Sequence, residues 1–286
     1  MCAECHSTNL QKNYSATNNS FNTTWSEINI GCEGCHGPGS GHVEQAEGGH
    51  FTSTAGLLVD LDDTGRAVWE MNAQTGIASR SEVRLRSPSE PEACGRCHSR
   101  RSGITESYQY NRPLLDTHAV SMLDELLYHP DGQVLEEVYV YGSFLQSRMY
   151  QAGVTCSDCH NPHTAKLRTG DDPSEVCSTC HLPSIFKVTE HHRHKAQSVN
   201  CVDCHMSSRE FMVIDERRDH SFRVPRPDIT KATGSPNACN DCHVDRSVEW
   251  AAQAFHDWVG DDLPDHYGFE IHAGTSGSGN LPLLNV

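Results

Sequence analysis

Cys156-Ser-Asp-Cys159-His160, Cys177-Ser-Thr-Cys180-His181 and Cys201-Val-Asp-Cys204-His205 fall within one short stretch, residues 156–205. Working outward, the same Cys-x-x-Cys-His pattern returns at Cys2/Cys5/His6, Cys32/Cys35/His36, Cys94/Cys97/His98 and Cys239/Cys242/His243. The seven copies use all 14 cysteines of the chain. Two cysteines three apart can form thioethers to the two vinyl groups of one haem, and the histidine that follows reaches the iron as proximal ligand. Zinc knuckles or redox Cys-x-x-Cys pairs are the alternative, but neither needs a histidine directly after the second cysteine. With 19 histidines in 286 residues, seven such placements by chance have a probability on the order of 10⁻⁸. The expectation is seven covalent c-type haems, with His6, His36, His98, His160, His181, His205 and His243 on the irons.

Composition fits a chain that wraps a cofactor. Hydrophobic residues are 36% and mean hydropathy is −0.57, low for a domain that packs side chain on side chain. One haem per roughly 41 residues would supply the missing apolar surface, so folding should depend on haem attachment. The net charge of −16 disfavours nucleic acid and anionic membrane surfaces and leaves basic docking partners or metal cations and oxides open. No cysteine is left over, so no disulfide is expected. Covalent haem attachment occurs outside the cytoplasm, which points to the periplasm or the cell exterior. No secretory leader precedes Cys2, so the chain is expected to start after one or to be part of a longer protein. No apolar run approaches 18 residues, so no membrane span is expected.

The motifs start at 2, 32, 94, 156, 177, 201 and 239. This spacing suggests an N-terminal region, 1–140, with three haems and a haem-free insertion near 51–87, read as a loop or small hairpin. A denser region, 141–260, would hold four, and 261–286 would be a flexible tail. The expected fold is mainly α with little regular secondary structure, wrapped around the haems. Pro91 and Pro173 sit where helices leading into Cys94 and Cys177 should begin. The stretch 116–128 reads as a helix with Val120, Leu123 and Leu127 on one face. A clearer one spans 248–259, with Gly260 as its C-terminal cap.

Seven irons leave seven sixth positions. Six methionines against twelve histidines outside the motifs favour bis-histidine ligation. The candidates are His42, His118, His129, His163, His220 and two of the cluster His191, His192 and His194. Pro162 turns His163 away from its own haem, and glycines around His42 permit a tight turn. His192 and His194 point to different helical faces, which would suit two different haems. His50, His256, His266 and His272 lie outside compact haem-adjacent stretches. Arg96, Arg100, Arg101, Arg217, Arg218 and Arg223 are either solvated or neutralise haem propionates.

Several segments resemble one family: Met1-Cys-Ala-Glu-Cys-His-Ser-Thr-Asn-Leu10, Trp25-Ser-Glu-Ile-Asn29, Cys32-Glu-Gly-Cys-His-Gly-Pro-Gly39, Tyr139-Val-Tyr-Gly-Ser-Phe-Leu-Gln146, Gly153-Val-Thr-Cys-Ser-Asp-Cys-His-Asn-Pro-His-Thr164 and Arg218-Asp-His-Ser-Phe-Arg-Val-Pro-Arg-Pro227. They are similar to bacterial multihaem c-type cytochromes with doubled motifs, often followed by tetratricopeptide repeats, a group akin to hydroxylamine-oxidoreductase-like cytochromes. The family's upstream haem segment and its repeats have no counterpart here. The resemblance implies haem chains with bis-histidine ligands and periplasmic or extracellular electron transfer, with other redox proteins or copies of this chain as partners. An extracellular cytochrome filament (nanowire) is the alternative. An oxidoreductase of nitrogen or sulfur compounds with one open haem is a third, although no Cys-x-x-Cys-Lys motif is present.

Overall fold

The motifs themselves build much of the regular structure. In a helix, residues i, i+3 and i+4 lie on one face, so a single turn started at the first cysteine carries both sulfurs and the histidine to one side. Short helices run Cys2–Cys5, Cys32–His36, Cys156–Cys159 and Cys201–His205, each opening on a motif's first cysteine. Thr155 and Asn200 cap two of them, with Asp158 and Asp203 completing reciprocal capping boxes. Asn237 caps Ala238–Cys242 through Asn240 N–H. The third motif ends a longer helix, Ser89–His98. The fifth begins inside the helix Pro173–Ser178, whose last turn carries Cys177, with Asp172 the cap and Pro173 the first helical residue. The computed structural model describes residues 2–50, 56–59, 61, 68–80, 89–105, 107–195 and 198–276.

Between the helices lie five two-stranded sheets among the described residues. The fold is therefore mixed rather than mainly α, with little regular structure of either kind. The expected helix over 116–128 is absent. Leu114–Asp116 is a single 3₁₀ turn, and His118–Val120 is a strand paired antiparallel with Arg101–Gly103, Gly103 opposite His118. Leu123 and Leu126 stay exposed, so the apolar spacing there had no face to bury. Tyr128, Val134 and Val138 instead form a small cluster with Leu127 and Phe211. Within the 51–87 insertion, Trp69–Met71 and Ala78–Arg80 pair as a small sheet. Residues 51–55, 60, 62–67 and 81–88 lie outside the described ones.

Val248–Val259 is helical as expected. Ser247 caps it by accepting from Trp250 N–H, Ala251 and Phe255 are buried, and Gly260 at φ +80° ends it. It packs on the helix Pro227–Thr233. The stretch 261–286, expected as a flexible tail, carries another helix, Tyr267–Thr275, and Tyr267 Oη donates to Asp131 O at 2.9 Å. Residues 277–286 lie outside the described ones.

The chain divides into two units, interleaved in sequence. The first takes residues 1–70, 79–120 and 152–168, and the second 71–78, 121–151 and 169–286. The fourth motif thus groups with the first three, leaving three in the second unit, where the sequence suggested three followed by four. Among the described residues twelve hydrophobic side chains are buried, while about twice as many large ones are exposed. Apolar surface is in surplus, and some of it lies beside motif histidines.

Candidate haem sites

In the first unit, the second motif shows the most complete geometry. His36 Nδ1 lies 3.1 Å from Val59 O, and Val59 N–H donates back to His36 O at 3.2 Å. This double bond fixes the ring and leaves Nε2 free, the arrangement a metal-bound histidine needs. The His163 ring centre is 6.4 Å from that of His36, with 19° between the planes. A metal about 2.0 Å from each ring nitrogen would put two trans imidazole centres about 6 Å apart. Beside them is an open space of about 810 Å³ lined by Cys32, His36, His42 and Val43 among others. His42 sits on the helix Ser40–Glu47 rather than in a glycine turn.

The second unit repeats this geometry at His205 and the ring spacing alone at His243. His205 Nδ1 is 2.7 Å from Arg223 O, Arg223 N–H donates to His205 O at 3.0 Å, and the His191 ring centre is 6.1 Å away. His243 has His194 at 6.0 Å and Trp250 at 4.9 Å. His194 Nδ1 is 2.5 Å from His192 O, which again frees Nε2. His192 differs from its neighbours. Its Nδ1 accepts the His194 N–H at 3.2 Å, so its neutral ring carries the proton on Nε2 and offers no lone pair there.

The remaining candidates are placed less completely. His118 is buried, its Nδ1 2.9 Å from Thr117 Oγ1. Burial, then the Arg101 cation, push its pKa down to about 4, which keeps the imidazole in its metal-binding form. His220 Nδ1 is 2.9 Å from Arg218 O. His129 Nε2 instead receives Arg209 Nη1 at 3.2 Å. Burial lowers the pKa of His129, His160, His181 and His191. His181 bridges Ile77 and has Phe186 edge-on at 5.3 Å. His98 ends its helix, His160 pairs with Leu167, and His6 follows the first helix. His256 is exposed and bonded to Asp261, and His266 caps Tyr267–Thr275. Among the described residues no three His, Cys, Asp or Glu side chains converge as a metal cage. The motif donors line helix faces instead, which suits a flat cofactor better than tetrahedral zinc.

The sulfurs also show which motifs are neighbours. In the first unit the Cys5 and Cys97 thiols lie within hydrogen-bonding reach of each other, as do those of Cys94 and Cys156. The Cys35 thiol pKa is raised by burial first and then by Cys94. In the second unit the Cys201 and Cys177 thiols lie within the same reach, and Cys204 lies close to Cys239. The third and sixth motifs are thus each central to a group: the third meets the first through Cys97 and the second and fourth through Cys94, and the sixth meets the fifth through Cys201 and the seventh through Cys204.

Three features have no plain signal in the sequence. One is the backbone of Val59 and Arg223 that straps His36 and His205. A second is buried Glu90, which accepts from Ser157 N–H at 2.5 Å and Ser157 Oγ at 2.8 Å at the start of the fourth motif's helix. The third is Arg96, held at Gly34 O. Of the other arginines, Arg217 pairs with Glu137 and Asp215, and Arg218 donates to the carbonyls of Val202 and Met206. Buried Arg223 donates to Asp131 O and Gln146 Oε1.

Residues 1–37, spanning the first two motifs, match the family described as cytochrome c554 and c-prime. The fold is similar to the crystal structure of the outer cell wall cytochrome OcwA, with a TM-score of 0.54 at 20% identity. The likeness covers 90% of this chain and 63% of that one, so the chain spans under two thirds of that cytochrome's length. A comparison with curated proteins gave no match. No helix among the described residues is long and apolar enough to cross a membrane.

Proposed function

We propose that the chain carries electrons through seven covalently bound c-type haems, each held between two histidines. The observation that carries this reading is the set of three histidine pairs, His36/His163, His205/His191 and His243/His194, with ring centres 6.0–6.4 Å apart. Each pairs one motif histidine with one from elsewhere in the chain. Removing His192 from the eight candidates leaves seven for seven irons: His163, His191 and His194 as paired, and His42, His118, His129 and His220 for the rest. His129 would exchange its Arg209 contact for iron. Bound haem supplies a one-electron couple at its iron. The chain's residues fix the ring planes, and burial holds the pKa of His118, His129, His160, His181 and His191 down.

The thiol contacts support an order in space. The first, third and fourth sites would be neighbours with the second beside the third, and the fifth, sixth and seventh would form a second group. His118 lies within electrostatic reach of Glu4 in the first motif, so a sixth ligand from the same chain is at hand at that end. This favours a carrier over a filament subunit that borrows a ligand. A location outside the cytoplasm goes with covalent haem and with the outer cell wall cytochrome to which the fold is similar. A basic redox protein would suit the −16 charge as partner. A spectroelectrochemical titration tests the proposal. A c-type α-band that reduces and reoxidises with seven electrons per chain supports it. Absence of that band, or a stable high-spin fraction that turns over nitrite or hydroxylamine, overturns it.

A further inference from the structure

Arg96 stands between the two cysteines of the third motif, Cys94-Gly95-Arg96-Cys97. Its Nη1 donates to the carbonyl of Gly34 at 3.0 Å, and Gly34 stands between Cys32 and Cys35 of the second motif. One guanidinium therefore sits at the cysteine edge of two sites at once. It is clamped there by the Tyr108 ring, 4.4 Å from the guanidinium carbon, and the Tyr110 ring at 5.5 Å. Tyr110 Oη accepts from the same Nη1 at 3.2 Å. The aromatic faces hold the cation without neutralising it. Arg101, Arg217 and Arg226 each pair with a carboxylate, whereas among the described residues Arg96 donates to the neutral oxygens of Gly34 and Tyr110. Of the two acids on the same helix, Glu90 accepts from Ser157 N–H and Oγ, and Glu92 accepts from Leu114 N–H.

We propose that Arg96 is a positioning residue of a particular kind: a fixed charge that raises the reduction potential of the second and third haems together. The proposal rests on the haem reading above. Thioethers join a haem at its vinyl edge, and the propionates leave from the opposite edge. A cation between the cysteines is thus badly placed to pair with the propionates of its own site. Reduction removes one positive charge from an iron site, so a nearby unneutralised cation favours the reduced form. Arginine keeps its charge at every accessible pH. Because the third motif also meets the first and the fourth, this charge makes the second and third sites the electron-rich members of that group.

The test compares Arg96→Gln and Arg96→Lys in full-length holoprotein by potentiometric titration, with haem count by intact mass. Arg96→Gln should move a two-electron part of the seven-electron curve to lower potential and leave the other five electrons in place. Arg96→Lys, which keeps the charge, should stay close to the parent. An independent variant, Tyr110→Glu, places a carboxylate against the same guanidinium and should lower the same two steps, while Tyr110→Phe should not. The proposal is overturned if the charge-removing variants carry seven haems but leave the curve unmoved, if all steps shift together, or if lysine shifts it as far as glutamine. Loss of haem in the parent protein would instead refute the underlying haem reading.

Discussion

Replacing the three clustered histidines one at a time separates ligands from bystanders. The His191 ring centre is 6.1 Å from His205 and the His194 ring centre 6.0 Å from His243, each the span of one iron between two imidazoles. His192 spends its Nδ1 on the His194 N–H and has no lone pair left at Nε2. With the seven proposed sites, His191→Ala should convert one iron in seven from low to high spin, and so should His194→Ala. The double variant should convert two in seven, and His192→Ala none. Quantitative electron paramagnetic resonance of the oxidised protein gives these fractions, with intact mass confirming that each variant keeps its haems. A high-spin signal in His192→Ala, or a fully low-spin His191→Ala, would refute the geometric argument.

Three other changes test the local chemistry. Asp203→Ala removes the capping box at Asn200 and should cost about 1 kcal/mol in thermal unfolding of the holoprotein. Glu90→Ala leaves Ser157 N–H and Oγ without their acceptor in a buried place and should cost about 1–3 kcal/mol, with Glu90→Gln milder because it keeps an acceptor. Burial pushes the Asp228 carboxyl up, but Arg226, bonded to both oxygens at 2.8 and 2.7 Å, outweighs it and holds the pKa below 3.8. An acid held low stabilises the fold above its unfolded value and loses that contribution as pH falls through the folded one. The holoprotein should therefore weaken below about pH 4, and Asp228→Asn should flatten that part of its acid limb.

The motif geometry was legible in the sequence because it is local: a cysteine, a second one three residues on and an adjacent histidine define a helix face by themselves. The helix 248–259 was legible for the same reason, since Ser247, the apolar spacing and Gly260 agree. The histidines proposed as sixth ligands are different. Nothing near residue 163 says that its ring meets His36, which another part of the chain provides. The choice among His191, His192 and His194 depends on backbone geometry, with Arg193 left-handed at φ +57° turning the chain between them. The stretch 116–128 misled because three apolar residues matched a helical period, while His118–Val120 found a strand partner at Arg101–Gly103. Tyr267 looked like tail, yet its hydroxyl reaches Asp131 and Gln146, contacts that no local pattern encodes.

The most direct test of the account is the intact mass of the mature protein under denaturing conditions. Thioether-bound haem survives denaturation, while zinc and non-covalent haem do not. The account predicts the polypeptide mass, of which these 286 residues contribute 31.6 kDa, plus seven haems on these motifs, with none of their thiols left to alkylate. The bare polypeptide mass with 14 alkylatable cysteines would contradict it.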